Sequence, residues 1–477
     1  MNAGGPDAGS SLRDRPPTAV SQGGVLPDVA PSRSLKQRAL SAGGWSAAGF
    51  ALSQGMRVAS TLVMTRLLAP EMFGVMSIAI MVNVIASLLT DLGIKQNIVQ
   101  SRRGEDPEFL NTAWTVQIVR GVIVWSMALI VSVCLFIARA NGWLTSDTVY
   151  GAPSLPWVLA ASSFSVVLAG FASTKGAVAE RSFNQRKLIQ IDLTSQIASL
   201  VSMIALAALT RSIWALVAGQ LIGGLVGTVQ SHSLLPGHPN HFAWNKTSLK
   251  EIVAFGRWIF FSSFVGVFAL YADRLVLGGL VSASVLGQFA IASTIIGAVQ
   301  GVFSKLYGAV VMPALSEVAR SNRERLKTVF YRLRVPTDLA LLFCAGLLAA
   351  TGKLVIGVLY DRRYGDSGWM LQILAVSLVW ARYGATQELY LALGRPKYVA
   401  FMNFARFPAV FGALYVGFRL GGMEGAIWGF ALHQVIIALM TYRFNAILEI
   451  NDFARDLGVL VALPIGYGVG SVINILR

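Results

Sequence analysis

Long apolar runs, separated by short polar or basic stretches, repeat along almost the whole chain. The first run begins near Trp45, after a stretch rich in Gly, Pro, Ser, Asp and Arg. A helix needs about 20 mainly apolar residues to cross a bilayer. On that rule, twelve runs predict membrane-spanning helices. A thirteenth run, at 457–476, is interrupted by Pro464 and several glycines. The twelve runs are 45–68, 72–92, 116–138, 153–174, 189–209, 213–231, 252–280, 285–312, 335–359, 369–393, 398–420 and 424–442.

The composition also indicates a membrane protein. Of the 477 residues, 55% are hydrophobic and only 13% are charged, whereas a soluble domain is nearer 25% charged. The net charge of +16 would in a soluble chain suggest a nucleic-acid partner. Here the basic residues lie between the apolar runs, as they do in the cytoplasmic loops of membrane proteins. We therefore predict a membrane environment and no nucleic-acid partner.

Lys and Arg are concentrated in alternate connections between the runs. The N-terminal tail and the connections after spans two, four, eight and ten are basic, whereas the odd-numbered connections are poorer, except for Arg362 and Arg363. This alternation predicts a multi-pass membrane protein with its N-terminus in the cytoplasm. We expect the membrane to be the bacterial inner membrane. The basic loops 95–115, 175–188 and 320–334 would then lie on the cytoplasmic side. The loops are too short for a soluble catalytic domain, so we do not expect an enzyme.

The two halves of the chain resemble each other at a shift of 214 residues. Ser34-Leu35-Lys36 recurs as Ser248-Leu249-Lys250, and Ile213-Trp214 recurs as Ile427-Trp428. Each half holds six spans, so both enter the membrane in the same orientation, and such transporters rock one half against the other around the substrate. The predicted parts are a disordered tail at 1–33, an N-lobe at 34–231, a linker at 232–247, a C-lobe at 248–445 and a C-terminal segment at 446–477 with room for an extra helix.

Ionisable residues inside the apolar runs are the candidate functional residues, because each costs about 2.5–3.5 kcal/mol on insertion scales. Arg57 lies in span one on a helical face with small and polar residues. The cationic candidates for binding an anionic substrate are Arg57, Arg274, Arg406, Lys305 and Arg382. The acidic candidates for carrying H⁺ or Na⁺ are Asp91, Asp273 and Glu388.

Each candidate also has a structural interpretation. Asp91, Lys305 and Arg382 lie near the ends of spans, where a charged side chain can reach the membrane interface. Asp273 and Arg274 are adjacent and can form an ion pair with each other. Arg57 can likewise pair with a carboxylate to hold two helices together. The sequence leaves these alternatives open.

The remaining motifs predict no cofactor and no metal. Cys134 and Cys344 both lie in apolar runs and form no pair with disulfide or metal spacing. His232, His238 and His241 lie together in the linker without an evident set of supporting ligands. The sequence contains no phosphate-binding loop, no nucleophile elbow and no zinc-protease motif. ATP-driven transport by this chain alone is therefore not expected.

Several short motifs, in order and at the right spacing between about residues 35 and 445, resemble a known family. They include the stretch from Thr65 to Gly74 (TRLLAPEMFG), Asp91-Leu92-Gly93, Asp273-Arg274-Leu275, Pro313-Ala314-Leu315-Ser316 and Leu393-Gly394-Arg395-Pro396-Lys397. They resemble the polysaccharide-transporter flippases, which are Wzx-like members of the multidrug/oligosaccharidyl-lipid/polysaccharide flippase superfamily.

The resemblance implies an all-α integral membrane protein with 12–14 transmembrane helices in two pseudo-symmetric six-helix lobes around a central cavity. It implies that the protein moves undecaprenyl-diphosphate-linked oligosaccharide from the cytoplasmic to the periplasmic leaflet by alternating access. Cationic residues in the cavity would hold the diphosphate. The implied partners are the lipid-linked oligosaccharide, a coupling H⁺ or Na⁺, and the polysaccharide polymerase and export machinery.

Four alternatives remain open. A multidrug or cation antiporter of the same superfamily would favour acidic residues in its cavity, whereas the charges in these runs are mainly cationic. A peptidoglycan-precursor flippase would have two more terminal helices. A membrane polysaccharide polymerase or ligase would need a large external loop. A membrane scaffold without transport activity is the fourth alternative.

Overall fold

A computed structural model describes residues 35–182 and 184–476, which form helices and connecting loops with no strand among them. The helices of the first half are α1 (Leu35–Leu67), α2 (Pro70–Leu89), α3 (Ile94–Gln100), α4 (Pro107–Ala140), α5 (Leu155–Ser162), α6 (Phe164–Gly170), α7 (Lys175–Arg181), α8 (Gln185–Thr210) and α9 (Trp214–Ser233). The predicted disordered tail lies outside the described residues.

The second half begins at α10 and continues to the C-terminus. Its helices are α10 (Lys246–Leu270), α11 (Ala272–Gly278), α12 (Ala283–Leu306), α13 (Met312–Ser321), α14 (Leu326–Leu359), α15 (Ser367–Leu374), α16 (Ser377–Ala381), α17 (Gly384–Ala392), α18 (Pro396–Leu432), α19 (Gln434–Ile447), α20 (Phe453–Gly458) and α21 (Ala462–Ile475). A π-helical turn, Tyr307–Val311, joins α12 to α13, and 3₁₀ turns lie at Arg323–Arg325, Arg362–Tyr364 and Val459–Val461.

The start of α4 shows how the local sequence sets a helix boundary. Pro107 occupies the first turn, where a missing backbone N–H costs nothing. The Asp106 side chain accepts a hydrogen bond from the Glu108 backbone N–H at 3.1 Å and so caps the helix. The hydrogen bond that Arg103 donates to Asp106 lowers the pKa of this carboxyl below its usual value. The cap therefore stays charged at neutral pH.

The chain is an all-α integral membrane protein. In the described part, seven helical segments are long and apolar enough to cross a membrane, or eight if the bent pair Leu155–Gly170 and Lys175–Arg181 counts as one span. One of the seven, Pro396–Ile447, covers two predicted spans. Helices lie at all thirteen predicted apolar runs, and the count of 12–14 crossings stays a prediction.

A glycine pair reverses the chain inside α18. Gly422 has a positive φ of 59°, which favours glycine, and it breaks the helical backbone together with Gly421. The two arms then run antiparallel and approach closely, because a Cβ on Gly417 would overlap the Gly425 carbonyl oxygen. The arms correspond to the predicted spans at 398–420 and 424–442.

The directions of packed helices agree with alternating spans. Gly49 of α1 packs on Ile189 of α8, and Gln196 further along α8 donates a hydrogen bond to Ser53 further along α1. The two helices, which are predicted spans one and five, therefore run parallel. By contrast α8 and α9, the predicted spans five and six, run antiparallel with glycines of α9 against α8.

The C-terminal helix α21 packs along α14. A Cβ on Gly466 would meet the Phe343 carbonyl oxygen, and one on Gly470 would meet the Ala350 side chain. Asn474, one turn on, donates a hydrogen bond to the Ala350 carbonyl oxygen at 2.9 Å. These contacts advance together along both helices, so α21 runs parallel to α14. Three predicted spans lie between α14 and α21 in the sequence. Two spans separated by an odd number of crossings run in the same direction, as these two helices do.

Contacts between the two halves are reciprocal around α2 and α12. A Cβ on Gly74 of α2 would overlap the Ala283 carbonyl oxygen, and a Cβ on Gly287 of α12 would overlap the Pro70 carbonyl oxygen. Pro70 and Ala283 are 213 positions apart in the sequence, and so are Gly74 and Gly287. The two contacts therefore join corresponding positions of the two halves, with the roles exchanged. A contact of this kind is expected where a two-fold axis passes through an interface.

A second pair of similar contacts joins the halves, one just after α1 and one within α11. The Tyr150 hydroxyl donates a hydrogen bond to the Leu275 carbonyl oxygen at 2.8 Å. The Tyr364 hydroxyl donates one to the Leu68 carbonyl oxygen at 2.9 Å. Tyr150 and Tyr364 are 214 positions apart, which is the shift of the sequence repeat.

Candidate functional site

A cavity of about 1010 Å³ lies between α1, α2, α8, α9, α11 and α12, and we refer to it as the N-cavity. Three charged residues, Arg57, Asp192 and Arg274, contribute to its wall. The remaining polar lining is mainly hydroxyl and amide groups: Ser60, Thr61, Ser77, Ser173, Ser195, Gln196, Ser199, Gln220, Thr228, Ser231 and Thr294. The space therefore offers hydrogen-bonding groups and charge inside the apolar helices.

Helical spacing brings the polar residues of α1 and α8 to the cavity. On α1, residues Arg57, Ser60, Thr61 and Met64 line the cavity at spacings of three and four, which places them on one helical face. On α8, the lining residues from Asp192 to Ser199 follow the same spacing. The two faces adjoin because α1 and α8 pack side by side.

Arg57 is exposed within the N-cavity. Its backbone carbonyl accepts a hydrogen bond from Thr61 at 2.9 Å. Its side chain forms no ion pair with a carboxylate of the described residues. The structural alternative for Arg57, a pairing with a carboxylate, therefore has no partner in this conformation. An unpaired guanidinium in such a cavity can bind an anion bidentately.

Arg274 lies where the N-cavity meets a second cavity. The break between α10 and α11 at Tyr271 places Asp273 and Arg274 in the interior, and their side chains pair at 2.8 Å. Arg274 also lies over the Tyr271 ring at 5.8 Å. Asp273 is 3% exposed. Pairing with Asp273 offsets part of the charge of Arg274, so Arg57 is the freer of the two cations.

The second cavity, which we refer to as the C-cavity, has a volume of about 610 Å³ and lies within the second half of the chain. Asp273 and Arg274 line one side of it, and Asn403 and Arg406 of α18 line another. His433 also contributes to the wall, and its ring nitrogen contacts the Phe430 carbonyl oxygen. The structure thus brings Arg274 together with Arg57 in one cavity and with Arg406 in the other.

Two predicted candidates near span ends, Asp91 and Lys305, are not part of the lining of either cavity. Asp91 forms an ion pair with Arg120 at 3.7 Å and accepts a hydrogen bond from the Gly93 backbone N–H at 3.0 Å. Lys305 is exposed and lies over the Phe50 ring at 5.2 Å. Each of these side chains has a local structural contact instead of a place in the cavity lining.

Arg382 and Glu388 also lie outside the lining of the two cavities. Arg382 is buried and donates a hydrogen bond to the Tyr383 hydroxyl at 3.1 Å. Glu388 is partly buried on α17. The structure therefore does not bring these two residues to the anion-binding candidates.

A buried charge cluster lies beside the C-cavity. Arg334 of α14, which is 1% exposed, forms ion pairs with Asp338 at 3.1 Å and with Asp456 of α20 at 3.1 Å. The Tyr331 hydroxyl donates a hydrogen bond to Asp456 at 3.0 Å, and Arg382 lies close to the Asp456 backbone. The cluster ties the C-terminal segment to α14.

The sequence contained a signal for residues that our prediction missed. Asp192 and Asp338 are ionisable residues within the predicted spans 189–209 and 335–359. The rule that selected Arg57 applies to them equally. Asp192 lines the N-cavity, and Asp338 belongs to the charge cluster.

The linker histidines have protein contacts. A ring nitrogen of His232 lies 2.8 Å from the Phe171 carbonyl oxygen, and the His241 ring lies 3.1 Å from the Asn111 amide. Within residues 35–182 and 184–476, no group of three or more His, Cys, Asp or Glu residues is arranged to hold a metal ion.

The arrangement of helices is that of known membrane transporters. The fold is similar to the lipid II flippase MurJ in an inward closed conformation, with a TM-score of 0.64, 11% identity and coverage of 91% of this chain and 99% of that one. It is also similar to an inward-facing multidrug resistance MATE family transporter of the MOP superfamily, with a TM-score of 0.62, 13% identity and coverage of 85% and 95%. These similarities define the class of the fold, an all-α integral membrane protein with the helix arrangement of those two structures.

Within that class, the chain belongs to the polysaccharide biosynthesis protein family, whose model matches residues 63–368. It is 22% identical over 427 residues to the lipopolysaccharide biosynthesis protein WzxC of Escherichia coli (strain K12), covering 86% of this chain and 81% of that protein. It is 21% identical over 438 residues to a membrane protein encoded in the cps region of Klebsiella pneumoniae, with coverage of 88% and 86%. The family predicted from the short motifs is therefore confirmed.

Proposed function

We propose that this protein is a flippase that moves undecaprenyl-diphosphate-linked oligosaccharide from the cytoplasmic to the periplasmic leaflet for polysaccharide export. The observation that carries the proposal is the N-cavity, which holds the unpaired Arg57 guanidinium among hydroxyl and amide groups. A diphosphate leaving water needs replacement hydrogen bonds, and a guanidinium supplies charge-assisted ones in a fork that fits phosphate oxygens. Membership of the polysaccharide biosynthesis family and similarity to WzxC support this choice of substrate.

In this proposal the substrate crosses by alternating access between two lobes, residues 34–231 and 248–445. The reciprocal contacts of Gly74 and Gly287 support a two-fold relation between these lobes. Helices of both halves enclose the N-cavity, since α11 and α12 follow the linker. Rocking one half against the other would therefore open the cavity to one side of the membrane at a time.

The proposed orientation places the N-terminus in the cytoplasm of a bacterial cell. The two similar tyrosine contacts, at Tyr150 and Tyr364, then lie on the periplasmic side and hold the halves together there. The cavity residues Leu188 and Leu235 lie at the cytoplasmic ends of α8 and α9. We therefore assign the described conformation to the state that is closed towards the periplasm.

Coupling to H⁺ or Na⁺ is also part of the proposal. Of the three acidic candidates, only Asp273 lines a cavity in the described structure, whereas Asp91 pairs with Arg120. We retain Asp273 as the coupling candidate because its second carboxylate oxygen, Oδ1, is buried without a hydrogen-bond partner. The polymerase and export machinery remain the proposed protein partners, and we assign no enzymatic reaction to the chain.

Deletion of the gene tests the proposed substrate. We expect lipid-linked oligosaccharide to accumulate in the cell and polysaccharide export to stop, with both effects reversed by the intact chain. The lipid pool would be measured by mass spectrometry of extracted membranes. The second candidate function, a multidrug or cation antiporter, is favoured only by the acidic residues Asp192 and Asp273 in the cavities. An antiporter would leave the lipid pool unchanged and alter resistance to cationic drugs.

Cysteine labelling tests the proposed topology. We expect a single Cys at Ser321, in a variant with Cys134 and Cys344 replaced by Ala, to resist a membrane-impermeant thiol reagent in intact cells. A Cys at Ser146, on the predicted periplasmic side, should react and serves as the control, since both positions are exposed. Labelling of Ser321→Cys before cell lysis would contradict the orientation.

A further inference from the structure

The N-cavity contains one carboxylate that does not contribute to binding a diphosphate. Asp192 of α8 is exposed to the cavity and is the only acidic residue of its described lining. Gln196 lies one turn further along and donates hydrogen bonds to Asp192 at 3.3 Å and to Ser53 of α1 at 2.6 Å. The carboxylate is thus placed on the cavity wall by an amide that is itself fixed to the neighbouring helix.

Asp192 and Arg57 lie at different depths of the N-cavity. Because α1 and α8 run parallel, the contact of Gly49 with Ile189 sets the same level on both helices. Asp192 follows that level by three residues and Arg57 follows it by eight. At 1.5 Å per residue, the backbones of the two residues are therefore separated by about 8 Å along the helices. No ion pair joins them in the described structure.

That separation divides the cavity into two chemically different parts. The Asp192 carboxylate would repel the negative charge of a diphosphate, so a diphosphate bound at Arg57 would lie on the side of that residue away from Asp192. The part of the substrate that lies at Asp192 is therefore the glycan, on the cytoplasmic side of the diphosphate. A carboxylate accepts hydrogen bonds from sugar hydroxyls and attracts an amino group, but it opposes a second negative charge in a confined cavity.

Basic residues near the cytoplasmic end of α8 are occupied by other contacts. Arg186 lies over the Trp45 ring at 5.7 Å, and Lys187 donates a hydrogen bond to the Leu234 carbonyl oxygen at 3.2 Å. Neither residue belongs to the cavity lining. These cations therefore do not neutralise Asp192 by an ion pair.

We infer that Asp192 selects the glycan by charge, so that the sugar passing this position is a neutral or amino sugar and not a uronic acid. The inference rests on the proposed flippase function and adds a specificity-determining residue to it. The arginines recognise what all such substrates share, the diphosphate, whereas Asp192 acts on the part that differs between them.

The test compares two lipid-linked oligosaccharides that are identical except that one sugar is either a hexose or the corresponding hexuronic acid. The full-length protein would be reconstituted in proteoliposomes, and translocation of each substrate would be measured separately. We expect the wild type to favour the neutral substrate by about tenfold, the size of a like-charge interaction across part of a cavity. Asp192→Asn should bring the ratio close to one by speeding the acidic substrate, whereas Asp192→Glu should preserve the preference.

Asp147→Asn, which removes a carboxylate from an exposed loop, is the matched control and should leave the ratio unchanged. Equal slowing of both substrates by Asp192→Asn, in a folded protein, would overturn charge selection and assign the residue to coupling instead. A wild type without preference would overturn it as well, with the flippase function intact. A wild type that moves neither substrate would refute the proposed function itself, and the inference with it.

Discussion

Replacement of Arg334 by methionine is expected to lower the free energy of unfolding by about 3–5 kcal/mol, because it removes one partner of a buried ion-pair network. Arg334 is 1% exposed and pairs with Asp338 and Asp456. Without the guanidinium, two carboxylates would face each other in the protein interior with no counter-ion in contact. The loss would appear as a lower melting temperature of the purified protein in detergent, and as a lower yield of folded protein.

A double variant tests whether the loss of stability at Arg334 comes from the carboxylate that is left without a counter-ion. Arg334→Met combined with Asp338→Asn removes one charge of each sign, so it should recover a large part of the lost stability. Arg323→Ala, which removes an exposed cation just before α14, should have little effect. If Arg334→Met melted at the wild-type temperature, the cluster would contribute nothing to the attachment of the C-terminal segment.

Replacement of Arg57 by alanine is expected to abolish polysaccharide export while the protein still folds and inserts. Arg57 has no ion-pair partner in the described structure, so its removal leaves no carboxylate without a counter-ion. A hydrogen bond to a charged group contributes about 1.5–3 kcal/mol. The loss of a bidentate contact should therefore reduce transport at least about tenfold, since each 1.4 kcal/mol corresponds to a factor of ten.

Two further variants separate binding from folding at this position. Arg57→Lys should retain part of the export activity, because the positive charge survives but the planar fork is lost. Arg66→Ala, on the same helix but outside the cavity lining, is the matched control and should export normally. Export and the amount of membrane-inserted protein would be measured together. Normal export by well-expressed Arg57→Ala would remove this residue from the substrate path.

The positions of the helices could be predicted from the sequence because a bilayer demands long apolar segments wherever the chain crosses it. The interruptions of those helices could not be predicted from the sequence. The run at 369–393 is divided into α15, α16 and α17, and the run at 252–280 is broken at Tyr271. Such breaks depend on neighbouring helices that supply hydrogen bonds and space, and a one-dimensional pattern does not contain that information.

The candidate site was predictable in part for a similar reason. A charge inside an apolar run must avoid lipid, which identified Arg57, Arg274 and Arg406 as interior residues. The same rule could not distinguish them from Arg382, which is buried against Tyr383, because the rotation of each helix is set by packing. Nor does it show which cations lack a carboxylate partner, since partners come from distant parts of the chain.

The crossing of α2 and α12 has a mechanical consequence. At Gly74 and Gly287 the two helices meet through backbone atoms, with no side chain from either glycine between them. Interlocked side chains would have to change rotamers before such helices could tilt, whereas smooth backbone surfaces can roll over each other. In the proposed alternating-access movement, the two halves would therefore stay in contact at these glycines while their ends separate. A bulky residue at either glycine would separate the two helices and block that proposed movement, without contacting any of the proposed substrate-binding residues.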